Sequence, residues 1–374
     1  IRDRHVIELN QPEMLDAVAT EALELGDPSR PTAEEARRLA GGWVRQDLEW
    51  IPPQEAARVE EGLWRVDGEW LDLASANRRR GAIHSMWRIP SRRLVVHSTA
   101  SRAVALRAMS EMQRALPDLE RVFGAPPERP IPVAVMRDEE QYDRFAFGDP
   151  DGRRPPTHVA RMHVIHRAYF AESWFEPVDG DQGFRGMGVC YWDTFAPYGD
   201  RYGVHAARLA VGLSFVDALD PSAKAVRSAR KSGPSPEYYA DFVAEKTLPD
   251  WLRYGGAVYA ERYYEDTTVG PDGDRWWTRK WSLENLVQKG GLRPLEEIFA
   301  FPADPDDRED SLRLYIECGL LVAFMVDGDC APVEELHEKL KRTLGRGRLH
   351  ARTLRDLEDA LVEHESELRS FAGL

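Results

Sequence analysis

The stretch LPDWLRYGGAVYAERYYED, from Leu248 to Asp266, decides how the fold of this chain is interpreted. Pro249 and Asp250 suit the first turn of a helix, where proline is tolerated and an acidic side chain is favoured. Beyond them apolar residues recur at helical spacing, which predicts a buried helix over 251–264. A second stretch upstream, RYGVHAARLAVGLSFVDALDP at 201–221, predicts another helix that begins at Asp200.

Together the two stretches resemble the catalytic core of the gluzincin metallopeptidases, in particular the peptidase-MA-like bacterial proteins. In that family the first helix carries HExxH, and the second carries a WLxEGxAxY-type segment whose Glu is the third zinc ligand. The second stretch matches that segment at Trp251, Leu252, Gly255, Ala257 and Tyr259. The resemblance implies a zincin-like domain that extends from residue 88 to the C-terminus.

The residues that bind zinc and activate water in that family are largely replaced here. His205 matches the leading His, whereas Ala206 stands at the general-base Glu and Leu209 at the second His. In the second segment Tyr254 stands at the position of the ligand Glu. A catalytic zinc site needs three protein ligands and an open position. The resemblance therefore implies a catalytically inactive member, a pseudoenzyme without zinc or another cofactor.

In place of the metal we expect a polar pocket formed by His205, Arg208 and Tyr254. The Tyr254 phenol would hydrogen-bond the His205 ring, and Arg208 would lie one turn along the helix near the mouth of the cleft. Such a pocket suits an anion or a peptide carbonyl. In active relatives an extended peptide pairs with an edge strand, a mode of recognition that needs no metal. The predicted function is a binding or scaffolding protein with a peptide or protein partner.

The alternative function is a metal-dependent hydrolase with a site of different composition. His158, His163 and His166 lie in the segment 157–170, which alternates as a strand does. On a regular strand the side chain of His163 points away from the other two, so the strand alone does not gather three ligands. Regrouped by the fold with His205 and Glu172, they would form a metal or acid–base site. A purely structural envelope protein is the third class.

Composition sets outer limits on function. The chain has 374 residues, of which 43% are apolar, enough for a sizeable core. Its formal net charge of −14 argues against nucleic-acid binding, which requires clustered positive charge. No apolar run reaches the length of a membrane span. Cys190, Cys318 and Cys330 have no C-x-x-C spacing and are predicted to be buried thiols.

A Trp-rich near-repeat lies in the N-terminal part of the chain. Trp43 aligns with Trp64 and Trp50 aligns with Trp70, at offsets that differ by a single position between the two pairs. Each copy predicts a small hairpin and a helical turn, with a tight turn at 67–68. We expect these tryptophans to be mostly buried in a small core. An exposed stripe would instead indicate a carbohydrate or protein surface.

The remaining periodicity predicts an α+β fold in two parts. Residues 1–87 would form N-terminal helices and the Trp-containing hairpins, a small appendage. Residues 88–374 would form the gluzincin-like domain, with a mixed sheet in 88–195 and a helical half in 196–374. Strands are predicted at 92–98, 131–137 and 188–193, and late helices at 281–289, 311–326, 332–344 and 354–371. Relatives of this type are commonly exported, so the resemblance implies a bacterial cell-envelope location. The sequence does not indicate an oligomeric state.

Overall fold

A computed structural model describes residues 33–124, 127, 130–147, 168–170, 188–196, 199–219, 248–261, 290–302, 307–345 and 349–374. Within these ranges helices and a mixed sheet occur together, which confirms the predicted α+β class. None of the described helices is long and apolar enough to span a membrane. The predicted helix at 281–289 and the histidines of segment 157–166 lie outside the described residues.

The chain divides into two compact units with interleaved segments. The first contains residues 1–113, 128–153 and 189–207, and the second contains residues 114–127, 154–188 and 208–374. Each unit is formed by three separate segments of the chain, so the two units are not divided at one position along the sequence. The predicted boundary between residues 87 and 88 stays a prediction.

The described part of the first unit begins with a helix–hairpin repeat. Helices α1 (Ala33–Ala40), α2 (Ala56–Glu60) and α3 (Leu73–Arg80) each precede a hairpin. The hairpins are β1 (Val44–Gln46) with β2 (Glu49–Ile51), β3 (Trp64–Val66) with β4 (Glu69–Leu71), and β5 (Trp87–Pro90) with β6 (Leu94–Ser98). All three pair their strands antiparallel. The first two hairpins lie at the two copies of the Trp near-repeat.

Strand pairing gives both hairpins of the repeat one common register. Val44 pairs with Ile51 in the first hairpin and Trp64 pairs with Leu71 in the second, so Trp64 corresponds to Val44. The predicted alignment of Trp43 with Trp64 is therefore wrong by one position. Gly42 and Gly62 set the common register, because both adopt positive φ (78° and 79°) where the chain leaves the preceding helix.

The same two contacts stabilise both copies of the repeat. A glutamate pairs with an arginine of the hairpin, at 3.0 Å in the first copy and 3.6 Å in the second; the glutamate lies within α1 in the first copy and directly precedes α2 in the second. An arginine of the helix also lies over the ring of the second tryptophan, with its guanidinium carbon 5.4 Å and 5.6 Å from the ring centroids. The residues are Glu35, Arg45, Arg38 and Trp50 in the first copy, and Glu55, Arg65, Arg58 and Trp70 in the second.

The four tryptophans of the repeat are partly shielded from solvent. Trp50, Trp64 and Trp70 are half-buried, and Trp43 is 36% exposed. Each indole therefore has most of its surface buried, and none is fully enclosed, because two short strands and one helix have too little volume to enclose an indole. Arginine side chains cover one face of Trp50 and Trp70, so these rings are not a bare aromatic stripe either.

The third hairpin continues into a five-stranded sheet. Helix α4 (Arg102–Phe123) connects β6 to β7 (Ile131–Met136), which pairs parallel with β6, and α5 (Glu139–Phe147) follows. With β8 (Ala168–Phe170) and β9 (Gly188–Tyr191), the strand order is β5–β6–β7–β9–β8. One antiparallel and one parallel pair make the sheet mixed, as predicted. The strands at β6, β7 and β9 are almost wholly buried.

The helical half of the chain contains seven described helices. They are α6 (Gly199–Leu219), α7 (Asp250–Glu261), α8 (Leu295–Ala300), α9 (Arg308–Asp327), α10 (Ala331–Leu344), α11 (Ala351–Glu363) and α12 (Glu365–Ala372). The predicted helices at 200–219 and 251–264 are confirmed as far as they are described. The helix predicted at 354–371 is two helices, which are separated at His364.

Candidate functional site

Helix α6 places the first motif in a buried environment. His205 is 7% exposed, and Arg208, one turn later, is 1% exposed. Ala206 and Leu209, at the positions of the general base and the second zinc ligand, are 0% and 1% exposed. The residues that replace the catalytic set are therefore part of the apolar core, with one histidine and one arginine beside them on the same helix.

Helices α6 and α7 approach each other closely at a pair of small residues. A Cβ atom added at Gly212 would lie 2.8 Å from Cα of Ala257, closer than two carbon atoms can pack. Ala257 belongs to the second motif, and the described part of α7 is buried from Trp251 to Glu261. The two helices therefore touch at Gly212 and Ala257, and the predicted side-by-side packing stays a prediction.

Tyr254, at the position of the ligand Glu, lies in an aromatic cluster. Its ring centroid is 5.0 Å from that of Phe301 in a stacked arrangement and 4.9 Å from that of Tyr315. The side chain is only 3% exposed. Stacking of this kind stabilises the position of a ring more than its burial alone does. Tyr254 and His205 belong to different units, and the predicted hydrogen bond between them stays a prediction.

The other matching residues of the second motif support the helix packing. Trp251 donates its indole N–H to Oε1 of Glu358 at 2.8 Å. The Tyr259 hydroxyl donates to Asp327 at 2.9 Å and accepts from Arg121 at 3.0 Å. Those two contacts connect α7 to α9 and to α4. The motif residues outside the vacated ligand position therefore act as structural residues.

Glu261 is a buried ionisable group that the sequence interpretation did not include. It is 4% exposed, and burial raises the pKa of its carboxyl to about 8, against the opposing effect of the Arg208 charge. At neutral pH the carboxyl is therefore largely protonated and is able to donate a hydrogen bond. Its position, two helical turns after Tyr254, places both side chains on one face of α7, and this spacing is the signal that would have found it.

Metal ligands do not cluster in the part of the chain that the structure describes, where no group of three His, Cys, Asp or Glu side chains is placed to hold an ion. His158, His163 and His166 fall outside that part, so the alternative site with His205 stays a prediction. The three cysteines are free and buried, as predicted. Burial raises the pKa of the Cys190 and Cys318 thiols, which keeps them in the unreactive thiol form.

We expect the wild type to lose stability as the pH rises towards 9, and we expect the Glu261→Gln variant to retain it. The carboxyl ionises near its ordinary pKa of 4.5 in the unfolded chain and near 8 in the folded chain. Between these values the folded state holds the extra proton, so the free energy of unfolding falls as the pH rises. By pH 9 the wild type should have lost on the order of a few kcal/mol that the variant retains.

Urea unfolding between pH 5 and pH 9 measures this difference. The matched control is Glu334→Gln, at an exposed position of α10. Its free energy of unfolding should depend on pH as that of the wild type does. Parallel stability profiles for Glu261→Gln and the wild type would show that the Glu261 carboxyl titrates normally in the folded chain.

Comparisons with known proteins do not place the chain in a family. No family model, no curated protein and no solved structure matches it. The resemblance to the gluzincins therefore stays a prediction from the motif residues.

Proposed function

We propose that this chain is a non-catalytic binding protein built on a gluzincin-like pair of helices, with a peptide or protein as its partner. The observation that carries the proposal is the burial of Ala206 and Leu209, at 0% and 1% exposure, where an active enzyme needs a general base and a zinc ligand. Neither side chain is able to accept a proton or to bind a metal.

The proposed binding pocket uses the polar groups that remain. Arg208 and Tyr254 belong to the second unit and stand beside and at positions of the vacated zinc site, and Arg208 supplies a buried positive charge. The protonated carboxyl of Glu261, which lies within the electrostatic reach of Arg208, adds a hydrogen-bond donor at neutral pH. Donors of this kind match the carbonyl oxygens of an extended peptide or the carboxylate of its terminus.

Restoring the zinc ligands tests the gluzincin-like geometry. The triple variant Ala206→Glu, Leu209→His, Tyr254→Glu supplies the general base and, with His205, three ligands. We expect it to bind one zinc ion per chain. The matched control is Ala206→Gln, Leu209→Asn, Tyr254→Gln, which has similar volumes but no zinc ligands of this set. A folded triple variant that binds no zinc, checked by circular dichroism, would exclude the proposed geometry.

Retention of peptides tests the binding function itself. We expect the immobilised full chain to retain a selective subset of a degenerate decapeptide library without cleaving it, in the presence of added zinc. Arg208→Gln should weaken this retention about tenfold or more, because a charged hydrogen bond is lost. Cleavage of the library by the wild type would contradict the proposal and favour the hydrolase.

A further inference from the structure

Phe301, which follows the last residue of α8, has a backbone conformation that bulky residues rarely adopt. Its φ of 49° and ψ of 60° lie in the left-handed region, where helices usually end on glycine. In the described parts of the chain, the other residues besides glycine with positive φ are Asp47 and Asp67, both in hairpin turns. For a residue with a Cβ atom, this conformation is disfavoured by a factor of about 5–30 in the equilibrium constant. The backbone at Phe301 is therefore strained.

Two tyrosine rings hold the Phe301 ring in this position. Its centroid lies 5.0 Å from that of Tyr254, with an angle of 12° between the ring planes. It lies 5.5 Å from that of Tyr315, and the two tyrosine rings are 4.9 Å apart. Phe301 is only 5% exposed. Strained backbone conformations persist where surrounding contacts enforce them, and they concentrate at ligand clamps and switch regions.

The rest of α8 is anchored without Phe301. The main-chain N–H of Arg293, just before the helix, donates to Oε1 of Glu317 at 3.2 Å, and the Arg293 guanidinium pairs with the same carboxylate. Within the helix, Leu295 and Ile298 are 0% exposed. A change of the backbone at Phe301 would therefore move one ring and leave the helix in place.

We propose that Phe301 occupies an aromatic binding site from within the chain, and that an aromatic side chain of the peptide partner takes its place. The Phe301 ring leaves Tyr254 and Tyr315 when the φ of Phe301 returns to negative values. The incoming ring restores the stacking contacts that Phe301 gives up, and the backbone strain is released. An aliphatic side chain supplies burial without the stacking.

This inference rests on the proposed function and deepens it, because it names the class of peptide that binds. The rings of Phe301, Tyr254 and Tyr315 all belong to the second unit. With Phe301 in place the site is closed, and the apparent affinity for a peptide is reduced by the fraction of chains in which the site is open. Removal of the Phe301 ring should therefore strengthen binding.

Titration calorimetry of the full chain with two peptides tests the exchange. Both are decapeptides of alanine and serine, one with a central tyrosine and the other with a central leucine. We expect the wild type to bind the tyrosine peptide about tenfold or more tightly than the leucine peptide. In NMR spectra of the wild type, saturation with the tyrosine peptide should shift the ring signals of Phe301.

The variants Phe301→Ala and Phe299→Ala form a matched pair on one helix. Phe299 contacts Trp251, with ring centroids 5.3 Å apart, and its φ is not positive. We expect Phe301→Ala to bind the tyrosine peptide about tenfold or more tightly than the wild type does, because no internal ring has to be displaced. Phe299→Ala should differ from the wild type by less than about twofold. Circular dichroism checks the fold of both variants, and if Phe301→Ala is unfolded the wild-type preference and the ring shift decide.

Equal affinities of the wild type for the two peptides would overturn the inference and leave the proposed function standing, since that function requires only that peptides bind. Unchanged or weaker binding of the tyrosine peptide by folded Phe301→Ala would also overturn it, because the ring would then not be a displaceable occupant. If the wild type binds neither peptide but retains the degenerate library, the inference alone fails. If it does not retain the library either, the proposed function fails with it.

Discussion

Replacing Gly255 by alanine should destabilise the second unit by about 3 kcal/mol. The added Cβ would lie 2.5 Å from the carbonyl oxygen of Cys318 and 2.8 Å from Cγ2 of Val322. The oxygen belongs to the backbone of α9, so relief requires a movement of the whole helix rather than a rotation of one side chain. Helices α7 and α9 also meet at Gly319, where an added Cβ would lie 2.5 Å from Val258, so the contact has little room for adjustment.

Urea unfolding of Gly255→Ala beside Gly81→Ala measures the effect of this contact. Gly81 has no left-handed backbone, and an added Cβ there would come no closer than 3.3 Å to its neighbours. We expect the Gly81 variant to remain within about 1 kcal/mol of the wild type. Equal stability of the two variants would show that α7 and α9 do not pack through Gly255.

The second large effect is a loss of stability in acid that depends on His97. Burial lowers the pKa of its imidazole from an ordinary value of 6.5 to about 3, and the Arg88 charge adds to this. Between these values the unfolded chain binds the extra proton, so the free energy of unfolding falls as the pH falls. The full window corresponds to on the order of 4–5 kcal/mol, of which about 2 kcal/mol is lost by pH 5.

The variant His97→Leu isolates this contribution because leucine does not titrate. Between pH 7 and pH 5, the free energy of unfolding should fall by about 2 kcal/mol more in the wild type than in the variant. Other titratable groups, including Glu261, are common to both chains and cancel in the difference. Equal losses in the two chains would mean that the His97 imidazole is accessible to protons in the folded state.

Elements with strong local signals were predictable from the sequence. The helices α6 and α7 and the strands β6 and β7 have apolar patterns that identify an element without knowledge of its neighbours. The hairpins of the repeat were predictable from turn residues such as Asp67 and Gly68. The register of the two hairpins was not predictable. Trp43 and Trp64 occupy positions one apart in the two copies, and the sequence alone aligns them with each other. Only the backbone conformation at Gly42 and Gly62 distinguishes them.

The candidate sites depend more on contacts between distant segments. Tyr254 was correctly placed on its helix, but its stacking on Phe301 and Tyr315 joins residues far apart in the chain. In the sequence His97 is one residue of an apolar strand. Its lowered pKa depends on burial and on Arg88 across the sheet, which the sequence does not show. Glu261 lies beyond the matched motif, so a search limited to motif positions does not include it.

Zinc content of the unmodified chain tests the central claim most directly. The claim is that the positions of a metallopeptidase site are occupied by residues that do not hold the metal. Titration calorimetry with zinc chloride, with elemental analysis after dialysis, should show no stoichiometric zinc in the wild type or in His205→Ala, and the variant should keep its fold. One zinc ion per chain in the wild type, lost in His205→Ala, would contradict the account.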